Sequence, residues 1–128
     1  MKLVSIAVLV AQVMSHVVDL NDINFSTTVW DGESTVGDKG WFVKFYAPWC
    51  GHCKTLSPTW DELAEKLAGE MNVAKVDVTQ SRDLGTRFDI KGFPTLLFFT
   101  KGTYYKYKGK RGLDELTAFA RGSKVVKQ

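Results

Sequence analysis

The two cysteines of this 128-residue chain stand three positions apart, in the stretch Phe45-Tyr46-Ala47-Pro48-Trp49-Cys50-Gly51-His52-Cys53-Lys54. Two thiols at that spacing can hold a metal, lock a turn or exchange with other disulfides. Structural zinc commonly takes four Cys or His ligands from two separated pairs, and only His16 and His52 could add to these thiols. A structural disulfide would close just the two residues between Cys50 and Cys53, and so small a loop removes little chain entropy. Redox chemistry suits the position better. Cys50 directly follows an apolar, β-prone run and is expected at the first turn of the next helix, where unpaired amides and the positive end of the helix dipole favour a thiolate. Cys53, about one turn further in, is expected to be less exposed, so the spacing makes one nucleophile and one resolving thiol.

The elements that must hold this pair follow from the hydrophobic pattern. Trp41 to Tyr46 is almost continuously apolar, as a central strand covered on both faces should be. From Cys53 onward Leu56, Trp60, Leu63, Ala64 and Leu67 recur at helical spacing, which predicts a helix of about 16 to 19 residues with Pro58 inside it. Val73 to Val78 reads as the next strand. Ser81 can cap a short helix carrying Leu84 and Phe88, Thr95 to Phe99 returns to strand, and Lys101-Gly102 makes a tight turn into Thr103 to Tyr107. Leu113, Leu116 and Phe119 mark a last helix. Upstream, Val17-Val18 opens a first strand, Asn21 or Asn24 caps a short helix, and residues 31–40 (DGESTVGDKG) form a connecting loop. The order is strand, helix, strand, helix, strand, helix, strand, strand, helix, an α/β fold with a mixed sheet and helices on both faces.

Length and composition agree with one core: 128 residues, 45% apolar and 24% charged. The net charge of +3 is mild and its lysines are scattered, which argues against nucleic acid as the main partner. At the N-terminus Lys2 precedes the mostly apolar Leu3 to Val13, too short for the ~20 residues of a membrane helix. Residues 1–16 therefore read as a cleaved secretory signal and residues 17–128 as a single catalytic domain, with no membrane attachment after cleavage. Removal of Lys2 leaves 16 basic against 14 acidic residues, about +2. The ending Ser123-Lys-Val-Val-Lys-Gln128 lacks the Asp-Glu-Leu type of retention address, so the secretory route is expected and residence in the endoplasmic reticulum lumen or secretion are both open.

The stretch Ala47 to Lys54 resembles the active site of the thioredoxin-like catalytic domain of protein disulfide isomerases. Asn24-Phe25 is similar to the start of such domains, Ala74-Lys75-Val76-Asp77 to their third strand, Gly92-Phe93-Pro94-Thr95 to their cis-proline loop, and Tyr107-Lys-Gly-Lys-Arg111 to a late turn. The resemblance covers nearly the whole chain after residue 16. It implies a thioredoxin fold and a thiol-disulfide oxidoreductase or isomerase that needs no metal or organic cofactor. In that reading Cys50 attacks and carries the mixed disulfide, Cys53 resolves it, and Gly51 and His52 complete the Cys-Gly-His-Cys pair, His52 stabilising the thiolate. Pro94 is expected in the cis form, with Phe93 offering backbone groups to an extended substrate, and Trp49 and Phe93 present apolar surface to unfolded chains. Arg111 matches an arginine that can approach Cys53 and lower its pKa; on the residues alone it is equally a surface charge. The implied partners are unfolded or disulfide-bonded secretory polypeptides and a thiol oxidant or glutathione. A thioredoxin-like net reductase and a redox-independent chaperone domain are the competing readings.

Lys44 departs from the pattern. Isomerase domains usually carry a buried glutamate here as proton acceptor for the resolving thiol. A lysine in an apolar strand loses hydration, so its pKa should fall. Three arrangements are open: a proton-accepting amine, a pair with an acid such as Asp77, or an ammonium group bent out to water. Asn24-Phe25-Ser26 is also a glycosylation acceptor pattern, set against a helix-capping role for Asn24.

Overall fold

In the computed structural model, which describes residues 16–122, the centre of the sheet is the strand Trp41–Tyr46. Strands β1 (Val18–Leu20), β2 (Trp41–Tyr46), β3 (Asn72–Asp77), β4 (Thr95–Thr100) and β5 (Thr103–Lys106) alternate with helices α1 (Phe25–Thr28), α2 (Gly51–Lys66), α3 (Arg82–Arg87) and α4 (Leu113–Ala120). This is the predicted order. The sheet runs β1-β3-β2-β4-β5. β3 lies parallel to both β1 and β2, while β2–β4 and β4–β5 are antiparallel. The signal-peptide reading falls on residues 1–15 and on His16, and all but His16 lie outside the described residues, as does the chain end after Gly122.

Side chains of a strand alternate between faces, and β2 divides the interior accordingly. Trp41, Val43 and Phe45 join Phe25, Leu84, Phe88, Leu97 and Phe99 in one core, beside α1 and α3. Phe42 turns the other way, into a core with Leu56, Trp60, Leu63, Leu67, Leu116 and Phe119 from α2 and α4. Every apolar residue of the predicted α2 stripe is buried there. Trp60 is fully enclosed, and its indole Nε1–H donates to the Ala74 carbonyl at 2.9 Å, tying α2 to β3. Covered on both faces, β2 can end abruptly at Ala47 and deliver the cysteines to the start of α2.

Three local devices differ from the sequence expectation. Asn24 flanks α1 but makes no side-chain cap; its Oδ1 accepts from the Asn21 N–H, while Asn21 Oδ1 takes the N–H groups of Ile23 and Asn24. Ser81 makes no side-chain cap on α3 either. The carboxylate of Asp22 does so instead, accepting from Asp83 N–H at 3.3 Å and Leu84 N–H at 3.0 Å. The loop of residues 31–40 does more than connect: Thr35 Oγ1 accepts from the Gly102 N–H at 2.8 Å, and Trp30 Nε1–H donates to the Gly102 carbonyl. Gly102 has φ +80°, and a Cβ there would come within 2.7 Å of the Glu33 carbonyl oxygen, so the tight β4–β5 turn requires glycine for both reasons.

Candidate active site

Cys50 occupies the cap position of α2 rather than its first turn: its backbone is extended (φ −80°, ψ 120°) and helical geometry begins at Gly51. Its Sγ accepts a hydrogen bond from the Cys53 N–H at 3.2 Å. This is the geometry by which a capping side chain satisfies an orphan amide, here with sulfur as acceptor. Both sulfurs are free thiols, 7% exposed at Cys50 and 3% at Cys53.

The environments push the two thiols apart. The hydrogen bond from the Cys53 thiol holds the Cys50 pKa below its ordinary value, helped by the amides of Cys53 and His52 and, least, by the charge of Arg111; burial opposes them. Cys53 is pushed up to about 11, first by burial and then by the same sulfur-to-sulfur hydrogen bond, against a lowering bond from the Ala47 backbone and the nearby Lys44 charge. A chain that puts one thiol on an open helix end and the next inside the following turn obtains one nucleophile and one proton-retaining partner.

A second loop closes over the pair. The Phe93–Pro94 peptide bond is cis, and Cys50 Sγ lies 3.6 Å from the Phe93 carbonyl oxygen, to which its thiol donates. Thr95 Oγ1 donates to the Gly92 carbonyl at 2.8 Å, fixing the loop at its entry into β4. Trp49 is 68% exposed and meets the Phe93 ring edge to face at 5.6 Å. Phe93 packs against the cysteine pair, and the exposed Trp49 ring adjoins it.

The structure brings Cys50, Cys53, Trp49, Phe93 and Pro94 together. His52 is exposed, and what it lends Cys50 is its backbone N–H. Gly51 is exposed too, and a Cβ at that position would touch nothing within 4 Å. Arg111 stands on the exposed loop between β5 and α4, and its charge is the smallest of the influences that lower the Cys50 pKa. Lys44 is 3% exposed, so the arrangement with its ammonium bent into water is excluded. Nor does it pair with Asp77, whose Oδ1 accepts from the Thr79 N–H and hydroxyl. Its Nζ donates to Ser57 Oγ at 3.3 Å, and Ser57 donates to the Cys53 carbonyl at 3.2 Å. Ser57 and the Ala47 backbone escaped the sequence reading; Ser57 was findable, since position i+4 from Cys53 places it on the same helix face. Among the described residues, no three His, Cys, Asp or Glu side chains gather as a metal site would require.

Comparison with known proteins places this geometry. The family model for thioredoxin matches residues 16–122. A thioredoxin domain-containing protein of Theileria parva is 50% identical over 110 residues, which cover 84% of this chain and 49% of that protein. A probable protein disulfide-isomerase A6 of Medicago sativa is 43% identical over 114 residues, 86% of this chain and 30% of its own length. Among solved structures, the first thioredoxin domain of mouse protein disulfide-isomerase A4 superposes with a TM-score of 0.73 at 32% identity, covering 99% of this chain and 86% of that domain. The chain spans half or less of the length of these curated relatives.

Proposed function

Given that the chain belongs to the thioredoxin family, we propose that it is a thiol-disulfide oxidoreductase of the protein disulfide isomerase type, acting on cysteines of secretory polypeptides. The observation that carries the reading is the capped sulfur: Cys50 Sγ takes the Cys53 N–H at 3.2 Å at the start of α2 while its neighbour keeps its proton to about 11. Cys50 attacks a substrate disulfide as thiolate. One substrate sulfur leaves as thiolate, and the other stays bonded to Cys50. Cys53 then attacks Cys50, the Cys50–substrate bond breaks, and the substrate departs reduced; the reverse sequence donates the disulfide. No metal or organic group is needed, because the pair carries both electrons.

The surrounding residues take supporting parts in this proposal. Trp49 and Phe93 hold apolar segments of an unfolded chain against the open side of the sulfur, with Phe93 and Pro94 supplying the backbone edge along which an extended substrate lies. His52, Gly51 and Arg111 keep the rim open and electropositive. Residues 1–16 act as a secretory signal, residues 17–128 form the catalytic unit, and the working place is the secretory pathway, with the endoplasmic reticulum lumen as its site and glutathione or a thiol oxidant as the recharging partner. The names of the relatives in plant and mouse support this reading.

Equilibration of the Cys50–Cys53 pair in glutathione buffers tests it. A potential near about −180 mV fits isomerase work, and one near about −270 mV would assign the domain to net reduction instead. Replacing both cysteines with serine should abolish refolding of scrambled, disulfide-bonded substrate; full retention of that refolding would leave only a chaperone role.

A further inference from the structure

The lysines that look scattered along the chain are gathered by the fold. Residues 44–60 and 90–113 hold eight of the 17 basic residues and none of the 14 acidic ones, so the remainder of the chain is net negative. The first stretch runs from β2 into α2, and the second from the cis-proline loop through β4 and β5 to the start of α4. Strand register brings the end of the second stretch back to the cysteines. β4 enters the sheet at Thr95, opposite Phe45, and β5 returns antiparallel to it, with Lys106 opposite Leu97. Tyr107 N–H then donates to the Leu96 carbonyl at 2.9 Å, so residues 107–111 run towards the level of Pro94, and the Arg111 charge is felt at Cys50.

A mostly apolar groove of about 750 Å³ opens here between β5, the loop that follows it and α4. Tyr105, Tyr107 and Phe119 give it apolar surface, the last two with their rings 4.9 Å apart. Lys106, Lys108 and Lys110 line it as well, all three exposed and none in an ion pair among the described residues. The α4 wall adds Asp114 and Glu115. Both stand in the first turn of α4, whose dipole offsets their charge, and Glu115 folds back against Gly112, where a Cβ would collide with its carboxylate. A lysine on an edge strand also deters pairing with a further strand, but only Lys106 belongs to β5; that role does not account for Lys108 and Lys110.

We infer that this groove is a subsite for the flank of a client chain, and that it prefers an extended segment carrying aspartate or glutamate beside an aromatic or aliphatic residue. The inference rests on the proposed exchange chemistry and adds its substrate class. A segment held at Cys50 and Phe93 has the groove as its continuation on the β5 side. There its apolar side chain meets the Tyr105, Tyr107 and Phe119 surface, and its carboxylate meets ammonium groups that lack a partner. A concave recess admits a side chain, whereas a membrane surface would reach only the lysine tips. Each exposed charge pair is weak and screened by salt, so the preference belongs to the encounter and shows at low ionic strength.

Two quenched disulfide peptides, alike in length and apolar content but with Glu or Lys beside the cysteine, test this with the protein in its dithiol form. The second-order rate of reduction should be about tenfold higher for the Glu peptide at low ionic strength, and equal for both near ~1 M salt, where the screening length falls to about 3 Å. Lys106→Gln, Lys108→Gln and Lys110→Gln together should abolish the preference without slowing the Lys peptide. Lys39→Gln, Lys66→Gln and Lys101→Gln change the net charge equally, none of them lines the groove, and the preference should survive them. Equal rates in the unsubstituted protein, or a preference that both triple variants keep or both lose, overturns the inference. Failure to reduce either peptide would instead overturn the exchange reading, and a measurement independent of redox chemistry then decides the subsite. A Glu peptide with serine in place of cysteine should shift the amide resonances of Tyr105, Tyr107 and Phe119. Absence of those shifts, or shifts that arise only on self-association or with phosphatidylserine vesicles, overturns it.

Discussion

A thiol on the cap of a helix and a lysine under its first turn are each governed by where their charge is tolerated. Cys50 has amide donors aimed at its sulfur and a second thiol donating to it, so its anion is favoured. Its alkylation rate should therefore rise with pH through a midpoint below the ~8.5 of free cysteine, while Cys53 stays inert over the same range; stopped-flow alkylation of the unsubstituted dithiol form, with the alkylated residue identified by peptide mapping, measures this, and a midpoint at the free value contradicts it. Lys44 presents the opposite case, a cation whose hydration has been removed. Its folded-state pKa lies below the unfolded one, so below the folded value both states are protonated and the native state bears the whole burial cost. Stability then rises with pH as the native amine discharges while the unfolded one stays charged, up to the ordinary lysine value of 10.5. Lys44→Met should accordingly raise the melting temperature by a few degrees at pH 7, the change that ~1 kcal/mol makes in a domain of this size, and the gain should shrink towards pH 10. A melting temperature that falls on substitution would contradict this account.

At the scale of elements, the hydrophobic pattern located β2, α2, β3, β4 and α4, cap and turn residues marked the rest, and the side chains that end the helices stayed hidden. α3 has only six residues and one turn's worth of buried apolar contact, so its first amides need an outside acceptor. Asp22 provides it from 61 and 62 residues away, a relation no window of local sequence contains. Asp22→Ala should cost about 1 kcal/mol, the usual scale for a lost cap, and should raise amide exchange in residues 82–87 more than in α2; equal protection in the two proteins would remove the capping role. The cap predicted at Ser81 was a sound local reading that a closer carboxylate displaced. Asn24 makes no cap because its side-chain oxygen turns back to accept from the Asn21 N–H at 2.8 Å. By contrast α2 needed no such correction: its apolar stripe, its length and its place behind a wholly buried strand were all present in the residue order, because burial of that stripe is the main reason for the helix to exist.

For the molecule as a whole, folding and redox state are linked through the same two thiols. The lowered pKa of Cys50 stabilises the reduced fold above the unfolded value of 9.0, and that contribution is lost as pH falls through the folded pKa. The raised pKa of Cys53 acts the other way, withdrawing stability between 9.0 and about 11. The denaturation midpoint of the dithiol form, measured against that of the disulfide form, should thus climb with pH to a maximum near 9 and then decline. A difference independent of pH would show that the thiol pair does not couple to folding. The cysteine spacing and most of the element order could be read along the chain, since a period of two or 3.6 and a three-residue offset are local quantities, whereas Lys44, His52, Phe93, Pro94 and Arg111 came into view through the family resemblance of the stretches that hold them. What needed the tertiary structure was everything set by approach from elsewhere: the Phe93 carbonyl over Cys50, Ser57 between Lys44 and Cys53, and Asp22 on α3. Field strength and desolvation depend on distance through space, and chain order alone leaves that distance undetermined.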